Sequence, residues 1–343
     1  MAYVFYIIMR KVSIKLLLLL GLAMALNSCS NDSAHNAEMG NGVYYWKTTF
    51  QLNDYERDFM SKHGIKRIYL RLFDVSLDQD YNMPVPIATT RFVDRIPENV
   101  EIVPVVYITT SVLDKICDHD KDLYNRVLAM AKRNGFENIR EIQLDCDWTS
   151  STQEQYFDFC KKIKSLASTD SIIISSTIRL HQLKREAPPV DRGVLMLYNT
   201  GSIYNPSTTN SILSKNDVKP YLQNTISYPL PLSVAYPTYS WGILLRDSKF
   251  MSILHKTDFS DRSLYKLKKG NVYEVTKDHY VENKHLLAGD IIRLEQSGIN
   301  DISEVQRMVK EKIQHTESVI LYHLDSLNLS KFTEQQINNI LER

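Results

Sequence analysis

Glycine and proline are scarce in this chain, with 11 of each among 343 residues. So few turn-forming residues disfavour collagen-like, linker-rich and many-turned all-β proteins. No run of Lys and Arg exceeds three residues, which gives no indication of nucleic-acid binding. Cysteine occurs four times, and we expect free thiols rather than a disulfide at Cys117, Cys146 and Cys160. Hydrophobic residues make up 43% of the chain, enough to bury a core.

Motifs of several enzyme classes are absent. The sequence has no GxGxxG or Walker loop for nucleotide phosphates and no Gly-x-Ser-x-Gly nucleophile elbow. It also has no H-E-x-x-H or CxxC metal spacing. We therefore predict neither cofactor nor metal, although a metal site built from Asp145, Asp147, His323 and Asp325 is an open alternative.

The first thirty residues have the pattern of a secretory signal. Arg10 and Lys11 precede an apolar run at 14–26, too short for a comfortable membrane span, and Met9 is an alternative start to Met1. The exit LNSC resembles a bacterial lipobox, and the resemblance implies cleavage before Cys29 and lipidation of its thiol. We predict a signal peptide at 1–28, a polar tether at 29–42 and a folded domain at 43–343.

The lipobox resemblance also predicts a location. A lipid at Cys29 would anchor the protein to a membrane in the cell envelope of a Gram-negative bacterium. Ser30 rather than Asp follows the cysteine, so retention in the inner membrane is not signalled and the outer membrane is favoured. The alternative is an ordinary secretory signal in which Cys29 is incidental.

The folded domain alternates strand-like and helical patterns. Strand-like runs occur at 43–48, 66–74, 101–108, 140–147, 171–178, 193–198, 231–236 and 318–325. Helical spacing fills several gaps, while the stretch 84–100 is poorly defined. Eight such units predict a (β/α)8 TIM-type barrel, and a doubly wound open sheet is the alternative. The segment 255–300 breaks the rhythm, with a hairpin around Gly270, and we predict a small β-rich insertion between the seventh strand and the helix before the eighth.

The fourth strand carries the first candidate site. Side chains alternate along a strand, so Ile142, Leu144, Cys146 and Trp148 share one face while Gln143, Asp145 and Asp147 share the other. In such barrels the working face is at the carboxyl ends of the strands. Two neighbouring carboxylates can raise one pKa for acid–base chemistry. The alternative is that Asp145 pairs with a core Arg or Lys while Asp147 caps a loop.

The segment LDCDW, 144–148, resembles the fourth-strand signature of family-18 glycoside hydrolases, the chitinases and their relatives, which ends D-x-D-x-E. Asp145 and Asp147 match its second and third acids, and Met196-Leu-Tyr198-Asn199 is similar to that family's M-x-Y-D. The resemblance implies that Asp147 is the leading acid/base, Asp145 its tuning partner and Tyr198 a contact for the substrate. The chain also resembles an uncharacterised family of bacterial barrel lipoproteins, through QLDCD and VAYPTYSWG.

The match fails at one position. The catalytic Glu of the family falls on Thr149, and threonine cannot protonate a glycosidic oxygen. Either another acid has taken over or the barrel has become a binding protein. Glu154 is nearby, but Ser151-x-x-Glu154 fits a capping box at the start of a helix.

Other strand ends supply candidates for sugar contacts, because aromatic rings stack on sugars and carboxylates accept from their hydroxyls. Arg179 and His181 follow the fifth strand. The predicted substrate-binding residues are Asp74, Tyr107, Asn199, Tyr236, Trp241, His323 and Asp325. These residues predict a glycoside hydrolase-like barrel whose partner is a glycan. A non-catalytic glycan-binding lipoprotein and a structural envelope lipoprotein are the alternatives.

Overall fold

The computed structural model describes residues 39–224 and 226–343. The predicted signal peptide, Cys29 and most of the tether lie outside the described residues. Among the helices within that part of the chain, none has the length and apolarity needed to cross a membrane.

Eight parallel strands form a closed barrel. Their bounds are β1 Gly42–Tyr45, β3 Arg67–Asp78, β6 Glu101–Ile108, β7 Glu141–Cys146, β8 Ile173–Arg179, β9 Arg192–Met196, β10 Leu232–Pro237 and β18 Val319–Tyr322. Each pairs with its neighbours in parallel, and β1 pairs with both β18 and β3, which closes the ring. The eight predicted strand-like runs each overlap one of these strands, so the barrel prediction is confirmed.

Helices cover the barrel unevenly. They are α1 Asp54–Lys62, α2 Asp120–Arg133, α3 Gln153–Thr169, α4 Lys215–Val218, α5 Ile299–Lys312, α6 Ser326–Leu329 and α7 Glu334–Leu341. In the described part of the chain the connection between β3 and β6 contains only the short strands β4 Met83–Ile87 and β5 Arg91–Phe92, the latter paired with β2 Thr49–Phe50. The connection between β8 and β9 has only a single 3-10 turn. The poorly defined stretch 84–100 is thus a region without a helix.

Strand β3 is longer than its neighbours because its carboxyl half continues into a hairpin. Its last residues, from Asp74 to Asp78, pair antiparallel with β4. The β4 sequence is MPVPI, in which Pro84 pairs with Leu77 and Pro86 with Val75. The hairpin therefore stands at the carboxyl end of the barrel, the end where the candidate residues lie.

The predicted insertion is present, but it begins earlier than residue 255. A five-stranded antiparallel sheet is built from β11 Ser240–Arg246, β12 Lys249–Leu254, β13 Tyr265–Lys269, β14 Val272–Val275 and β17 Ile291–Gln296. A separate hairpin joins β15 His279–Val281 to β16 Lys284–Leu286. The β13–β14 pairing surrounds Gly270, whose φ of +58° suits glycine, as the sequence predicted. Because β11 follows β10 after two residues, Trp241 belongs to the insertion rather than to a barrel loop.

Two apolar clusters account for this division. One large core joins the barrel strands to the surrounding helices, and the fully buried Trp148, Tyr44 and Tyr69 are among its largest side chains. A smaller core of the insertion contains Leu244, Leu254, Tyr265, Val275, Leu286 and Ile292. The insertion thus has its own apolar interior beside the barrel.

Candidate functional site

Arg179 links the two carboxylates of the fourth barrel strand. Asp145 is buried, and its Oδ1 accepts from Thr177 Oγ1 at 2.7 Å and from Arg179 Nη2 at 3.2 Å. Asp147 lies two residues further along the chain, just beyond β7, with 51% of its side chain exposed. Its Oδ1 accepts from Arg179 Nε. The open alternative from the sequence therefore holds for Asp145, which pairs with a core arginine, and the same arginine also engages Asp147.

Burial is the main cause of the raised pKa values of Asp145 and of its neighbour Tyr107. Burial raises the pKa of Asp145, the nearby Arg179 opposes that effect, and the charge of Asp147 adds to it. Burial likewise raises the pKa of Tyr107 to about 12, with a further contribution from Asp147. The pKa of Asp145 is thus displaced in the direction that the sequence suggested, but desolvation rather than the second carboxylate is the main cause.

Asp74, Tyr107 and Asp145 lie side by side across three strands. The register pairs Asp74 with Tyr107 on β6, and Tyr107 with Asp145 on β7. Asp74 is held by both nitrogens of a neighbouring arginine, since Arg71 Nε and Nη2 each donate to it at 2.6 Å. Its carboxylate is therefore already engaged in a bidentate ion pair.

Thr149 lies in the exposed loop between β7 and α3. Its backbone N–H donates to Thr152 Oγ1 at 3.0 Å, and its hydroxyl is 2.9 Å from that of Ser151. The predicted capping box of Ser151 and Glu154 is wrong: Thr152 is the N-cap and makes no side-chain cap hydrogen bond. Its hydroxyl instead accepts from the loop backbone, so the turn is closed upon itself.

A row of aromatic rings crosses the mouth of the barrel. Trp46 lies 5.9 Å from Tyr322 between ring centroids, and Tyr322 lies 5.7 Å from Tyr239. Tyr239 in turn lies 5.2 Å from Trp241, and Tyr198 stacks on Tyr322 at 4.5 Å. The row therefore connects the ends of β1 and β18 to the first strand of the insertion.

The aromatic cavity, about 460 Å³, opens beside this row. Its lining combines rings with polar groups: Trp46, Lys47, Asn199, Tyr239, Ser240, Trp241, His255, Lys256, Tyr322, His323, Asp325, Leu327 and Asn328. Of the predicted substrate-binding residues, it brings together Asn199, Trp241, His323 and Asp325. Such a mixture of apolar surface and a few polar groups is typical of small-molecule sites.

The Asp147 cavity, about 270 Å³, lies next to it. It is lined by Asp147, Arg179, Leu180, His181, Met196, Tyr198, Asn199, Thr200 and Tyr221. Asp147 and Tyr198 thus share one cavity, whereas Asp145, Asp74 and Tyr107 are not among the residues that line either. Asn199 lines both cavities, and its Oδ1 accepts from Tyr239 Oη at 2.6 Å.

Three polar residues of the aromatic cavity, His323, Asp325 and Lys47, have distinct environments. Burial lowers the pKa of His323 to about 4, although Asp325 nearby opposes that effect, and His323 Nδ1 has no hydrogen-bond partner. Asp325 is the N-cap of α6 and accepts from the backbone N–H of Asn328 at 3.0 Å. Lys47 Nζ is 2.5 Å from Oε1 of the buried Glu56. Because its lowered pKa lies well below 7, His323 is neutral at pH 7.

Tyr236 was predicted to contact the substrate, but it lines neither cavity. It alternates along β10 with Ala235, and Ala235 is level with Met196, which lines the Asp147 cavity. Tyr236 therefore points to the opposite face of the strand, where it is only 1% exposed. Its role is packing within the core.

The sequence analysis missed several cavity residues. Trp46 follows Tyr44 by two positions just beyond β1, so strand alternation alone could have placed it on the inner face. Tyr322 is in phase with Ile320 in the same way. His255 and Lys256 come from the insertion, and no local pattern places them at the barrel mouth. Among the described residues no group of three or more His, Cys, Asp or Glu side chains could hold a metal ion.

The geometry defines the class of fold as a (β/α)8 barrel whose two candidate cavities lie at the carboxyl ends of its strands. Solved structures share that fold. A chitinase from Chromobacterium violaceum is 9% identical, with a TM-score of 0.54, and the match covers 90% of this chain and 100% of that one. The spore cortex-lytic enzyme SleL from Bacillus megaterium is 12% identical, with a TM-score of 0.52, covering 89% and 74%.

A third solved structure is the Group IV chitinase of Ostrinia furnacalis in complex with allosamidin. It is 10% identical, with a TM-score of 0.52, and the match covers 88% of this chain and 97% of that one. No protein-family model matches the sequence, and no curated protein sequence is similar to it. At these identities the likeness establishes the shared fold.

Proposed function

We propose that this protein binds a glycan in the aromatic cavity and does not hydrolyse it. The observation that carries the proposal is the lining of that cavity, which includes Trp46, Trp241 and Tyr322 together with the polar groups of Asn199 and Asp325. Flat aromatic faces pack against the C–H faces of sugar rings, while amide and carboxylate oxygens accept from hydroxyls. Three of the proteins that share the fold are named as chitinases or as a cortex-lytic enzyme, which agrees with a sugar ligand.

The carboxylates support binding rather than hydrolysis. A general acid has to hold a proton that it can deliver to the leaving oxygen. Asp147 Oδ1 accepts from Arg179, and Asp145 is buried against the same guanidinium. Thr149, at the position where the family-18 signature has its Glu, carries no acid. An unengaged acid is therefore missing at the place where that signature puts one.

A second candidate function is hydrolysis led by Asp147. The observation that favours it is the exposure of this carboxylate, which shares the Asp147 cavity with Tyr198. Displacement of Arg179 by a substrate would be required to free the acid. Asp145 would then be the tuning partner of Asp147.

We further propose that a lipid on Cys29 anchors the barrel in the cell envelope of a Gram-negative bacterium, the outer membrane more than the inner. The sequence LNSC after an apolar run supports this anchor. A polar segment between Cys29 and β1 would let the barrel mouth face an envelope glycan.

One experiment separates these functions. The protein is applied to a glycan array, and the glycans that it binds are incubated with it while new reducing ends are measured. Binding without release of reducing ends supports the proposal, and binding with release supports the Asp147 hydrolase. Absence of binding to any glycan on the array would contradict both.

A further inference from the structure

The insertion contains a buried carboxylate that contacts a wall of the aromatic cavity. Glu295 on β17 is directly opposite Trp241 on β11 in the antiparallel register. Glu295 Oε2 accepts from Trp241 Nε1 at 2.8 Å. The glutamate is 1% exposed and does not line the cavity itself. A ligand in the cavity would therefore meet the indole and not the carboxylate itself.

The same carboxylate also holds the loop that follows β9. Glu295 Oε2 accepts from the backbone N–H of Ser211 at 2.9 Å and from the Ser211 hydroxyl. Ser211 O in turn accepts from Gly201 N at 3.1 Å, two residues from Asn199. One glutamate thus fastens the indole wall and the loop that carries Asn199, the residue shared by both cavities.

Arg293 completes this network from the other side. Its Nε donates to Glu295 Oε1 at 2.6 Å, and its Nη1 donates to Asn205 O at 3.1 Å. The side chains of Arg293 and Glu295 are 4% and 0% exposed, so both charges are removed from water. A buried ion pair is costly to form and is weak support for stability by itself, which favours a role in fixing geometry.

We propose that Glu295 is a positioning residue that fixes the orientation of the Trp241 indole, so that its ring face is ready for a sugar. This inference rests on the proposed glycan-binding function of the aromatic cavity. An indole N–H that donates to a buried carboxylate has one preferred ring orientation, which removes an ordering cost from ligand binding. Glu295 thereby connects the interior of the insertion to one wall of the aromatic cavity.

The first test needs no ligand. The protein has three tryptophans, so the indole N–H groups give three signals in its ¹H–¹⁵N spectrum, and Trp241→Phe identifies the signal of Trp241. Glu295→Gln is expected to move that signal and to leave those of Trp46 and Trp148 in place. An unmoved Trp241 signal would overturn the inference.

A matched control comes from the same insertion. Asp290 is also a buried carboxylate, 2% exposed in its side chain, and Arg246 Nε donates to it at 2.7 Å. It does not line the aromatic cavity. Asp290→Asn is expected to leave the Trp241 signal in place. If it moves that signal as far as Glu295→Gln does, general loosening of the insertion explains the result and the positioning role fails.

The second test uses the N-acetylglucosamine tetramer as the probe, with affinity measured by calorimetry. Glu295→Gln is expected to weaken binding by roughly tenfold, and to have little further effect once Trp241 is phenylalanine. Additive losses in the double variant would overturn the inference. If the unmodified protein does not bind this probe, the proposed function fails for that glycan, while the indole spectrum still decides the positioning role.

A further variant covers the case in which Glu295→Gln does not fold. Ser211→Ala removes one hydroxyl donor to Glu295 Oε2 and retains the ion pair with Arg293. Because the same oxygen accepts from the indole, we expect the Trp241 signal to move here as well. A folded Ser211→Ala protein with an unchanged spectrum would contradict the coupling.

Discussion

Arg179, the last residue of β8, donates through Nε to Oδ1 of Asp147, which directly follows the neighbouring strand β7. The next nitrogen of the same guanidinium reaches Asp145, so one cation balances the two acids that the sequence singled out. Pairs of close carboxylates repel when no cation lies between them. This arginine is the reason that both acids are accommodated at one strand end.

The position of Thr149 gives the first prediction. Thr149→Glu places a carboxyl group where the resemblance to the family-18 signature would put its catalytic Glu, yet we expect no release of reducing ends from any glycan that the protein binds. Arg179 continues to engage Asp145 and Asp147, so the acids beside the new glutamate stay in their ion pairs. Thr149→Gln is the control of equal size. Hydrolysis by Thr149→Glu and not by Thr149→Gln would show that a single residue separates this barrel from a glycosidase.

Trp241 gives the second prediction. Trp241→Ala removes one ring of the aromatic cavity, and we expect glycan affinity to fall by about 2 kcal/mol, roughly 30-fold. Tyr280→Ala is the control, since Tyr280 is 74% exposed on the hairpin β15–β16 and does not line that cavity. Calorimetry with a glycan found on the array measures both variants. Equal losses in the two would argue against a ligand in the aromatic cavity.

His323 gives a prediction about pH. Its pKa falls from 6.5 to about 4 on folding, because burial disfavours the charged ring. Between these values the unfolded chain binds more protons than the folded one, so the free energy of unfolding rises with pH across this range. Between pH 4.5 and 7 the contribution of His323 to this rise is on the order of 2 kcal/mol. His323→Asn should remove that contribution, as measured by urea unfolding curves at the two pH values.

The exposed His315 supplies the control for this measurement. His315→Asn replaces an exposed histidine in the same way, and its unfolding by urea is measured at the same two pH values. A pH profile that is identical in His323→Asn and the unchanged protein would contradict the buried, neutral state of His323.

Cys29 gives the fourth prediction. Because the sequence LNSC resembles a lipobox, Cys29→Ala should abolish lipid attachment. Fractionation of cells that express the full chain should then show the protein released from the membranes or retained as an unprocessed precursor. Ser28→Ala, beside the cysteine, is expected to stay membrane-bound. Unchanged processing and membrane retention of Cys29→Ala would rule out the anchor.

The barrel could be predicted from the sequence because its strands are local patterns. Apolar runs such as 101–108 and 318–325 are recognisable by themselves, and their number specifies closure. The start of the insertion at Ser240 was not recognised, since only Thr238 and Tyr239 separate β11 from β10. Burial cannot distinguish a barrel strand from the central strand of a second sheet.

The site was less predictable because its contacts join distant segments. Arg179 lies 34 residues from Asp145, and Glu295 lies 54 residues from Trp241. No spacing rule within one element specifies such pairs. Alternation placed Asp147 on the inner face, but for Tyr236 the phase of β10 has to be known from its neighbours before its face can be assigned.

The two prolines of β4 have a consequence for the behaviour of the protein in concentrated solution. A closed ring of strands has no free edge, but the hairpin strand β4 is paired to β3 on one side. Pro84 and Pro86 are two residues apart, so their nitrogens face the same side of β4, and neither has a hydrogen to donate. An edge strand accommodates proline where the nitrogen faces away from the partner strand, so this side is the open one. A second molecule therefore finds no regular row of donors on which to add a strand, and the hairpin is protected against edge-to-edge aggregation.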